Sequence, residues 1–258
     1  MKIYVLVKEV PDTYGDRKLD LETGLADRGA GDVVLDEITE RALEVALSYA
    51  EKNAGTEVVA LSMSPETATA SVRRALAIGA ASAVHVVDEQ LRGADLTLTA
   101  ETLAAAIRRG EPDLVITGNL STDGSGGVIP AMLAEHLGFA QATALSAVEI
   151  AGDQVSGTRT GDDGTQQVTA SLPAVISITE ALPDARFPNF KGIMAAKKKP
   201  LEVLSLTDLG VSADPASAPR TIMTTVSEKP PRAAGVKITD EGDAAAQLVE
   251  FLVQNRLV

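Results

Sequence analysis

Residues 113–129 read DLVITGNLSTDGSGGVI, and this stretch decides the fold class. Its first five residues form a short run centred on Leu, Val and Ile, which predicts a buried strand. A glycine-rich segment follows, and an apolar helical pattern begins at Ile129. A strand that leads through a glycine-rich turn into a helix is typical of parallel α/β sheets. We therefore expect strands and helices to alternate on both sides of this stretch.

The alternation covers the first half of the chain. Apolar runs predict strands, and apolar residues three and four positions apart predict helices. The predicted strands cover residues 3–7, 58–61, 83–87 and 113–117, and the predicted helices cover residues 35–52, 64–78, 95–109 and 129–137. This order predicts an α/β fold with a doubly wound, mostly parallel sheet and helices on both faces.

A different pattern begins at Thr143. Two glycine-containing turns lie between alternating runs, which predicts an added β-hairpin or meander over residues 146–171. Residues 173–178 return as a buried strand. The hairpin is therefore an addition to the parallel sheet and not part of its alternation.

The last fifth of the chain predicts an arm. Residues 212–234 are rich in Pro and Ala and indicate a linker, and an amphipathic helical pattern follows at residues 243–258. A helix of this length is marginal without packing, so it docks either on the main domain or on a partner. We expect residues 1–211 to form the α/β domain and residues 212–258 to form the linker and the C-terminal arm.

Composition excludes several classes of function. The chain has 258 residues, a formal net charge of −13 and no cysteine. This charge argues against nucleic-acid binding, which depends on Lys and Arg at phosphates, and the missing cysteines exclude disulfides and Cys-ligated metals. The opening apolar run reaches Lys8 too early for a signal peptide, and no stretch approaches the about 20 apolar residues of a membrane span. We expect a cytoplasmic protein without membrane insertion.

The glycine-rich segment at residues 117–129 is the main candidate site. Its glycines let backbone amides approach an anion, its hydroxyls add donors, and the helix that follows contributes its N-terminal dipole. It matches neither of the common phosphate-loop patterns, so an ordinary strand-to-helix turn stays an equal alternative. Lys8 and Met63 follow the first two strands and could reach the same crevice, although a solvated Lys8 is the simpler interpretation.

No catalytic or metal-binding group emerges from the residues. His85 and His136 lie in a predicted strand and a predicted helix without a Ser or Asp partner at motif spacing, so both are interpreted as structural. The acidic residues near Glu40 are better explained as charges in the first turn of a helix. We expect neither a catalytic residue nor a metal site.

Residues 186–199 combine apolar and basic side chains in a segment punctuated by Pro and Gly. Two of the four phenylalanines, Phe187 and Phe190, lie here, close to three consecutive lysines. Exposed apolar groups beside basic ones are typical of an interface. A surface crossover with both rings turned inward is the alternative, and the residues alone do not decide between them.

Three segments resemble the electron transfer flavoprotein β subunit. They are VLVKEVPD at residues 5–12, TGDDG at 160–164 with LPAVIS at 172–177, and residues 187–199 with GIMAAKKK at 192–199. The last two segments are similar to the family's own signature region. The resemblance covers nearly the whole chain and implies an adenine-nucleotide-binding sheet of the HUP-like type.

The resemblance implies a heterodimer that carries electrons. In this family the α subunit holds most of the redox-active FAD, and the β subunit holds a second, buried nucleotide. That nucleotide is AMP in many members and another FAD in members that bifurcate electrons. The carrier accepts electrons from dehydrogenases and passes them to a quinone reductase or another acceptor. A catalytic residue is not required, because the FAD supplies the redox chemistry.

The resemblance places the second nucleotide at the ends of the first, second and fourth strands and at the start of the first helix. With Lys8 included, the implied cofactor-binding residues are Leu6, Lys8, Asp36, Thr39, Met63, Gly118, Asn119, Ser121, Thr122, Asp123, Gly124, Ser125, Gly126, Gly127, Val128 and Ile129. AMP-binding relatives often have an Asn-Pro-rich helix start and an acidic loop with Gln and Thr, whereas this chain has DEIT at 36–39 and DGSGGVI at 123–129. AMP and a second FAD therefore both stay open.

The resemblance also implies two protein contacts. Residues 183–194 are similar to the recognition loop that docks on dehydrogenases, with Phe190 at the position of an apolar anchor. The implied partner-binding residues are Phe187, Phe190, Ile193 and Met194. The tail beyond residue 212 is similar to the arm that embraces the α subunit, and Tyr14 is a candidate for the aromatic residue that some relatives place near the flavin.

Two alternatives come from other classes. A stand-alone ATP- or AMP-binding protein of the universal stress type shares the sheet and the glycine-rich loop, but it needs neither residues 187–199 nor a long arm. An enzyme that activates substrates with ATP normally has its phosphate loop after the first strand, where only Lys8 and Glu9 are found.

Overall fold

The computed structural model describes residues 1–15, 17–216, 220–232 and 234–258. Residues 1–224 form one compact unit and residues 225–258 form a second. Of the linker predicted at 212–234, residues 217–219 and 233 lie outside the described residues. The division of the chain into domains at residue 211 stays a prediction.

The strands fall into a large sheet and a small one. They are β1 (Lys2–Leu6), β2 (Glu9–Pro11), β3 (Val33–Leu35), β4 (Glu57–Met63), β5 (Ser82–Val86), β6 (Leu114–Gly118), β7 (Ala140–Ala151), β8 (Gln154–Gly161), β9 (Gly164–Ser171), β10 (Ala174–Ile178) and β11 (Leu201–Leu204). The large sheet has the order β11-β5-β4-β1-β6-β10-β7-β8-β9, and β2 pairs with β3. The strands from β11 to β7 run parallel, and β8 and β9 continue the sheet antiparallel.

Most of the helices connect strands of the large sheet, and the last two follow the final strand. They are α1 (Glu37–Lys52), α2 (Thr69–Ile78), α3 (Leu96–Gly110), α4 (Ile129–Leu137), α5 (Phe190–Ala196), α6 (Leu206–Leu209) and α7 (Ala244–Gln254). Within the described part of the chain, no helix is long and apolar enough to cross a membrane. In the second unit, α7 carries Leu248, Phe251 and Leu252 at helical spacing, so one of its faces is apolar.

The central parallel strands of the sheet are buried on both faces, as the doubly wound prediction requires. Along β1, Ile3 and Val5 belong to the core beneath α1 and α2, whereas Tyr4 and Leu6 belong to the core beneath α3 and α4. Successive strand residues point to opposite faces, so an almost continuous apolar run is needed. Both cores are built mainly from aliphatic side chains, which fits the scarcity of aromatic residues. The predicted α/β fold class is confirmed.

Strand β7 makes the transition from the parallel sheet to the hairpin. Its first residues pair with β10, and its later residues pair with β8, with a shift of register after Leu145. At this bend Ala144 has a φ of 57°, and its amide donates to Ser177 Oγ at 2.7 Å. The hairpin predicted over residues 146–171 is therefore present as β7, β8 and β9, with an irregularity where it leaves the parallel strands.

The first helix begins two residues later than the pattern predicted. Residues 33–35 pair with β2 as the short strand β3, and α1 begins at Glu37. The β2–β3 pair follows β1 directly and lies at its carboxyl end. Sequence periodicity did not reveal this pair, because three-residue strands are too short to show an alternation.

Close contact between α1 and β6 depends on the absence of a side chain at Gly118. An ideal Cβ at this position would lie 2.7 Å from Ile38 Cγ2 and 2.9 Å from Cγ1. Only a glycine lets the helix approach the end of the strand this closely.

We expect Gly118→Ala to lower the free energy of unfolding by about 1–3 kcal/mol, because Ile38 must move within a packed core. Gly161→Ala is the matched control, since a Cβ there meets no atom within 4 Å. The control is expected to change stability by less than about 0.5 kcal/mol. Urea unfolding of the purified variants measures both values, and equal stability of the two would contradict the packing argument.

Candidate functional site

The candidate site lies where the order of strands reverses. From β1 the chain moves outward through β4 and β5 and then crosses to β6 on the other side of β1. Ligands in open α/β sheets bind outside the carboxyl ends of strands at such a switch point. The residues after β1 and β6 therefore meet at a crevice, together with the start of α1.

Lys8 and Asp123 join the two sides of this crevice. Lys8 Nζ lies 2.6 Å from Asp123 Oδ1 and 3.3 Å from Ser121 Oγ. Arg28 Nη2 lies 3.4 Å from Asp123 Oδ2, and Arg17 donates to the Thr122 carbonyl. Lys8 is thus bound to the glycine-rich loop, which differs from the simpler interpretation of a solvated lysine.

The charge of Asp123 is stabilised by these contacts. Burial opposes ionisation of the carboxyl group, but the hydrogen bond and charge of Lys8, assisted by Ser121 and the Gly124 amide, lower its pKa to about 2. The side chain is only 12% exposed. Asp123 is therefore an anion at neutral pH, paired with cations from the β1 side of the crevice.

Asp36 connects the start of α1 to the same loop. The residue is buried, and its Oδ2 accepts a hydrogen bond from the Thr122 amide at 3.0 Å. Thr39 Oγ1 donates to the Asp36 carbonyl at 2.7 Å. Burial raises the pKa of Asp36, although the amides of Thr122 and Ile38 oppose this shift. The predicted residues Asp36, Thr39 and Thr122 are thus brought together.

The glycine-rich loop forms a set of backbone donors. Ser125 and Gly127 have φ angles of 48° and 67°, and conformations of this kind turn successive amides toward one concave side. Within the described ranges, the amides of Gly126, Gly127 and Val128 make no hydrogen bond. They precede α4, whose dipole adds positive potential at its N-terminus. The loop can therefore hold an anion.

Two buried polar atoms near this loop have no protein partner. Asp36 Oδ1 and Thr122 Oγ1 are both buried without a hydrogen bond to any described residue. Such atoms are costly unless a ligand or water satisfies them. A ligand with hydroxyl or amino groups could donate to the carboxylate, so these residues are compatible with a polar ligand.

A cavity of about 770 Å³ adjoins Lys8 on the β4 side of the crevice. Met63 at the end of β4 lines it, together with Glu9, Arg28 and Ser64. This volume lies within the usual range of small-molecule sites, about 300–1,000 Å³. Met63 therefore lines the same cavity as Lys8.

The side chains of several other predicted residues lie in different environments. The Leu6 side chain belongs to the core beneath α3 and α4, and the Ile129 side chain packs against the same core. Asn119 directs its side-chain oxygen to the Leu120 amide at 2.8 Å. Gly124 and Val128 are exposed in the loop.

Sequence reasoning missed the arginines of the crevice. Arg17 and Arg28 come from an irregular segment between β2 and β3, where no periodicity indicates which side chains turn inward.

His85 is buried and shares a 2.9 Å hydrogen bond with Ser64 Oγ, and burial lowers its pKa. In the described ranges, no cluster of three or more His, Asp or Glu residues could hold a metal ion.

The predicted partner-binding side chains lie on the surface of the first unit. Phe187 is 87% exposed and Phe190 is 79% exposed, and Ile193 and Met194 are about half exposed. The alternative in which both rings turn inward is therefore wrong. Asn189 caps α5 through a 2.8 Å hydrogen bond from the Gly192 amide to its Oδ1.

A doubly wound parallel sheet with a glycine-rich loop at its switch point is the arrangement found in many nucleotide-binding α/β folds. The model of the electron transfer flavoprotein domain matches residues 23–209 of this chain. The chain belongs to the electron transfer flavoprotein family.

Curated relatives extend the match over the whole chain. The electron transfer flavoprotein subunit beta of Mycobacterium tuberculosis is 47% identical over 264 residues, covering 99% of each chain. The subunit of the same name from Syntrophomonas wolfei is 35% identical, covering 98% of this chain and 96% of its own. A protein of Acetobacterium woodii named caffeyl-CoA reductase-Etf complex subunit CarD is 30% identical over the full length of both chains.

These relatives support the function of an electron transfer flavoprotein β subunit and give no support to the stand-alone nucleotide-binding alternative. Such a protein is an electron carrier, its function is associated with a flavin, and the word subunit implies a partner chain. The predicted family is confirmed.

The depressed pKa of Asp123 generates a pH-dependent prediction. The pKa is about 2 in the folded chain and 3.8 as the reference for the unfolded chain. The stabilisation is therefore complete above pH 3.8 and is lost as the pH falls through 2. We expect Asp123→Asn to lower the free energy of unfolding at pH 7 by on the order of 1–2 kcal/mol, with about half of the difference gone by pH 3.

Asp153→Asn is the matched control, because it removes the same charge from the exposed turn between β7 and β8. Urea unfolding at pH 7 and pH 3 measures both variants together with the unchanged chain. If Asp123→Asn lowers the free energy of unfolding by the same amount at both pH values, the ion pair is not the source of the loss.

Proposed function

We propose that this chain is the β subunit of a heterodimer whose α subunit holds the redox-active FAD. The heterodimer accepts electrons from dehydrogenases and passes them to a quinone reductase or another acceptor. No residue of this chain makes or breaks a bond in that transfer, because the flavin supplies the redox chemistry and the protein supplies binding and orientation. A cytoplasmic location stays a prediction.

The free amides of the loop before α4 carry the proposal for the nucleotide site. Three consecutive amides that have no partner among the residues the structure describes, at the N-terminus of a helix and beside a topological switch point, form an environment that favours a phosphate. Lys8 and Arg28 neutralise Asp123 beside them. We infer that the crevice binds an adenine nucleotide, which is AMP or the adenine part of a second FAD.

The orphan atoms of Asp36 and Thr122 support the same site. Asp36 lies at the start of α1 and Thr122 in the loop after β6. A 3.0 Å hydrogen bond from the Thr122 amide to Asp36 Oδ2 joins the two residues. In this chain the loop amides would hold the phosphate, and the Asp36 carboxylate would accept from a hydroxyl or amino group. The nucleotide would then fill the crevice between β1 and β6.

The exposed apolar surface around Phe190 supports the proposal for dehydrogenase docking. Phe187, Phe190, Ile193 and Met194 are exposed on a chain of net charge −13, and Lys191, Lys197 and Lys198 lie exposed around them. A contiguous apolar surface with a charged rim is typical of a protein interface. The Acetobacterium woodii relative is named a subunit of a complex with a CoA-ester reductase. We therefore include dehydrogenases of CoA esters among the proposed partners.

Gly127→Ala tests the nucleotide site. A Cβ at this position would lie 2.7 Å from Leu120 Cδ2, and the φ of 67° is unfavourable for alanine, so the substitution strains the present shape of the loop. We expect the variant heterodimer to lose at least about 90% of its bound AMP, or of a second FAD, while the FAD of the α subunit is retained. Mass spectrometry of the nucleotides released from the purified heterodimer measures both.

Gly210→Ala is the matched control for backbone strain, since Gly210 has a φ of 65° and open space around its Cβ. It is expected to retain the full nucleotide content. The nucleotide proposal fails if the unchanged heterodimer releases only one FAD and no further adenine nucleotide, or if Gly127→Ala retains as much as Gly210→Ala.

Phe190→Ala tests the docking surface. We expect the KM of an acyl-CoA dehydrogenase for the heterodimer to rise at least about tenfold, because an exposed aromatic anchor is removed from the interface. Steady-state electron transfer from the substrate-reduced dehydrogenase measures this value. Val203→Ala removes exposed apolar surface from β11 instead and is expected to leave KM unchanged. Equal KM values for both variants would overturn the docking proposal.

A further inference from the structure

Arg186 binds the segment before Phe187 to the surface of α1. Its Nε donates to Glu44 Oε2 at 2.8 Å, its Nη2 donates to Glu44 Oε1 at 2.7 Å, and its own amide donates to Glu44 Oε2 at 3.1 Å. Its Nη1 donates to Glu51 Oε1, and its Nη2 also lies 3.2 Å from Glu51 Oε2. A two-point pairing of guanidinium and carboxylate restricts direction as well as distance.

Further contacts extend this attachment along α1. Arg41 donates to the Leu182 carbonyl and pairs with Asp184, and Ser48 Oγ supports Glu44 Oε1 at 2.8 Å. Residues 41, 44, 48 and 51 are three or four positions apart, so they form one stripe on the helix. This stripe, defined by residues 41, 44, 48 and 51, contacts the chain from Leu182 to Arg186.

The charges of this contact favour its persistence at neutral pH. Burial opposes ionisation of Glu44, but the hydrogen bonds from Arg186 outweigh it and lower the pKa of Glu44. The hydrogen bonds that Arg186 donates to Glu44 and Glu51 raise its already high pKa. All three groups are therefore charged over the physiological range.

A second attachment lies on the other side of the two phenylalanines. The Asn189 side chain caps α5. Helix α5 packs closely on α2 at Gly192, where an ideal Cβ would lie only 2.4 Å from the Ala77 carbonyl oxygen. Arg73 Nη1 also donates to the Ala196 carbonyl at 3.0 Å. Only three residues, 187–189, separate Arg186 from the first residue of α5.

The exposure of the two rings follows from these attachments. Phe187 and Phe190 leave most of their surface in water, although burial of such rings is favourable by itself. In a loop without such attachments, folding the rings onto the protein would be favourable because it buries apolar surface. Attachment on both sides keeps them outward, so the conformation that presents them exists before any partner binds.

We propose that Arg186 is a positioning residue for electron transfer: its fork with Glu44 and Glu51 holds Phe187 and Phe190 in the orientation that docks on a dehydrogenase. This inference rests on the proposed docking function of residues 183–194. Arg186 touches neither flavin nor substrate in this role and acts through the two rings. Preorganisation strengthens binding because less conformational entropy is lost when the complex forms.

The test uses the heterodimer with FAD bound and an acyl-CoA dehydrogenase that is reduced by its own acyl-CoA substrate. We expect Arg186→Gln to raise KM for the heterodimer about tenfold while kcat changes less than about twofold, because docking is weakened and the flavin is untouched. Arg186→Lys keeps the charge without the planar fork and is expected to give an intermediate KM. Arg109→Gln is the control, since Arg109 pairs with Glu202 at 3.4 Å elsewhere on the surface.

A double-mutant cycle identifies the fork as the cause. Glu44→Gln alone is expected to raise KM in the same direction, and Arg186→Gln combined with Glu44→Gln is expected to be no worse than the poorer single variant. Hydrogen exchange gives a readout that does not depend on activity. Amides of residues 183–192 are expected to exchange at least about tenfold faster in Arg186→Gln than in Arg109→Gln.

The outcomes separate this inference from the docking proposal. If Phe190→Ala raises KM but Arg186→Gln and Glu44→Gln behave like Arg109→Gln in both KM and hydrogen exchange, the positioning role is wrong and docking stands. If Phe190→Ala leaves KM unchanged, the docking proposal fails first. A fall in kcat of Arg186→Gln with unchanged KM would also overturn the positioning role. Should Arg186→Gln not assemble with the α subunit, Arg186→Lys and Glu44→Gln carry the same comparison.

Discussion

The reversal of strand order between β1 and β6 is the constraint on which the rest of the site depends. Because the chain winds away from β1 on one side and returns on the other, the loops after these two strands diverge to opposite faces and leave a crevice between them. Lys8, the start of α1 and the glycine-rich loop all reach this crevice from different parts of the chain. The start of α1 and the end of β6 border this crevice, and they lie close together because residue 118 is a glycine.

Charge balance inside the crevice follows from the same arrangement. A loop that offers free amides to an anion also contains Asp123, which by itself would repel one. Lys8 and Arg28 approach from the β1 side and pair with that carboxylate, which offsets its charge within the loop that carries these amides. On a chain of net charge −13, this local pairing permits the approach of a phosphate.

Helix α1 contributes to two surfaces. At its start, Asp36 and Thr39 are hydrogen-bonded to each other and Asp36 to the glycine-rich loop, and the stripe defined above holds the chain from Leu182 to Arg186. Its buried face packs beneath the sheet through Leu43, Leu47 and their neighbours. One rigid element therefore bears the proposed nucleotide site at one end and the attachment of the proposed docking loop along its side.

The amino-acid sequence by itself determined the alternation of strands and helices, the hairpin after residue 143 and the position of the glycine-rich loop, because these depend on local periodicity and turn chemistry. The family was also recognisable from short segments such as residues 192–199. Only the tertiary structure decided that Lys8 pairs with Asp123 and that Arg17 and Arg28 enter the crevice. It also decided that Phe187 and Phe190 are exposed, next to Arg186 and its pairing with Glu44. These contacts join residues from about 95 to more than 140 positions apart, and no local pattern records which irregular segment folds against which strand end.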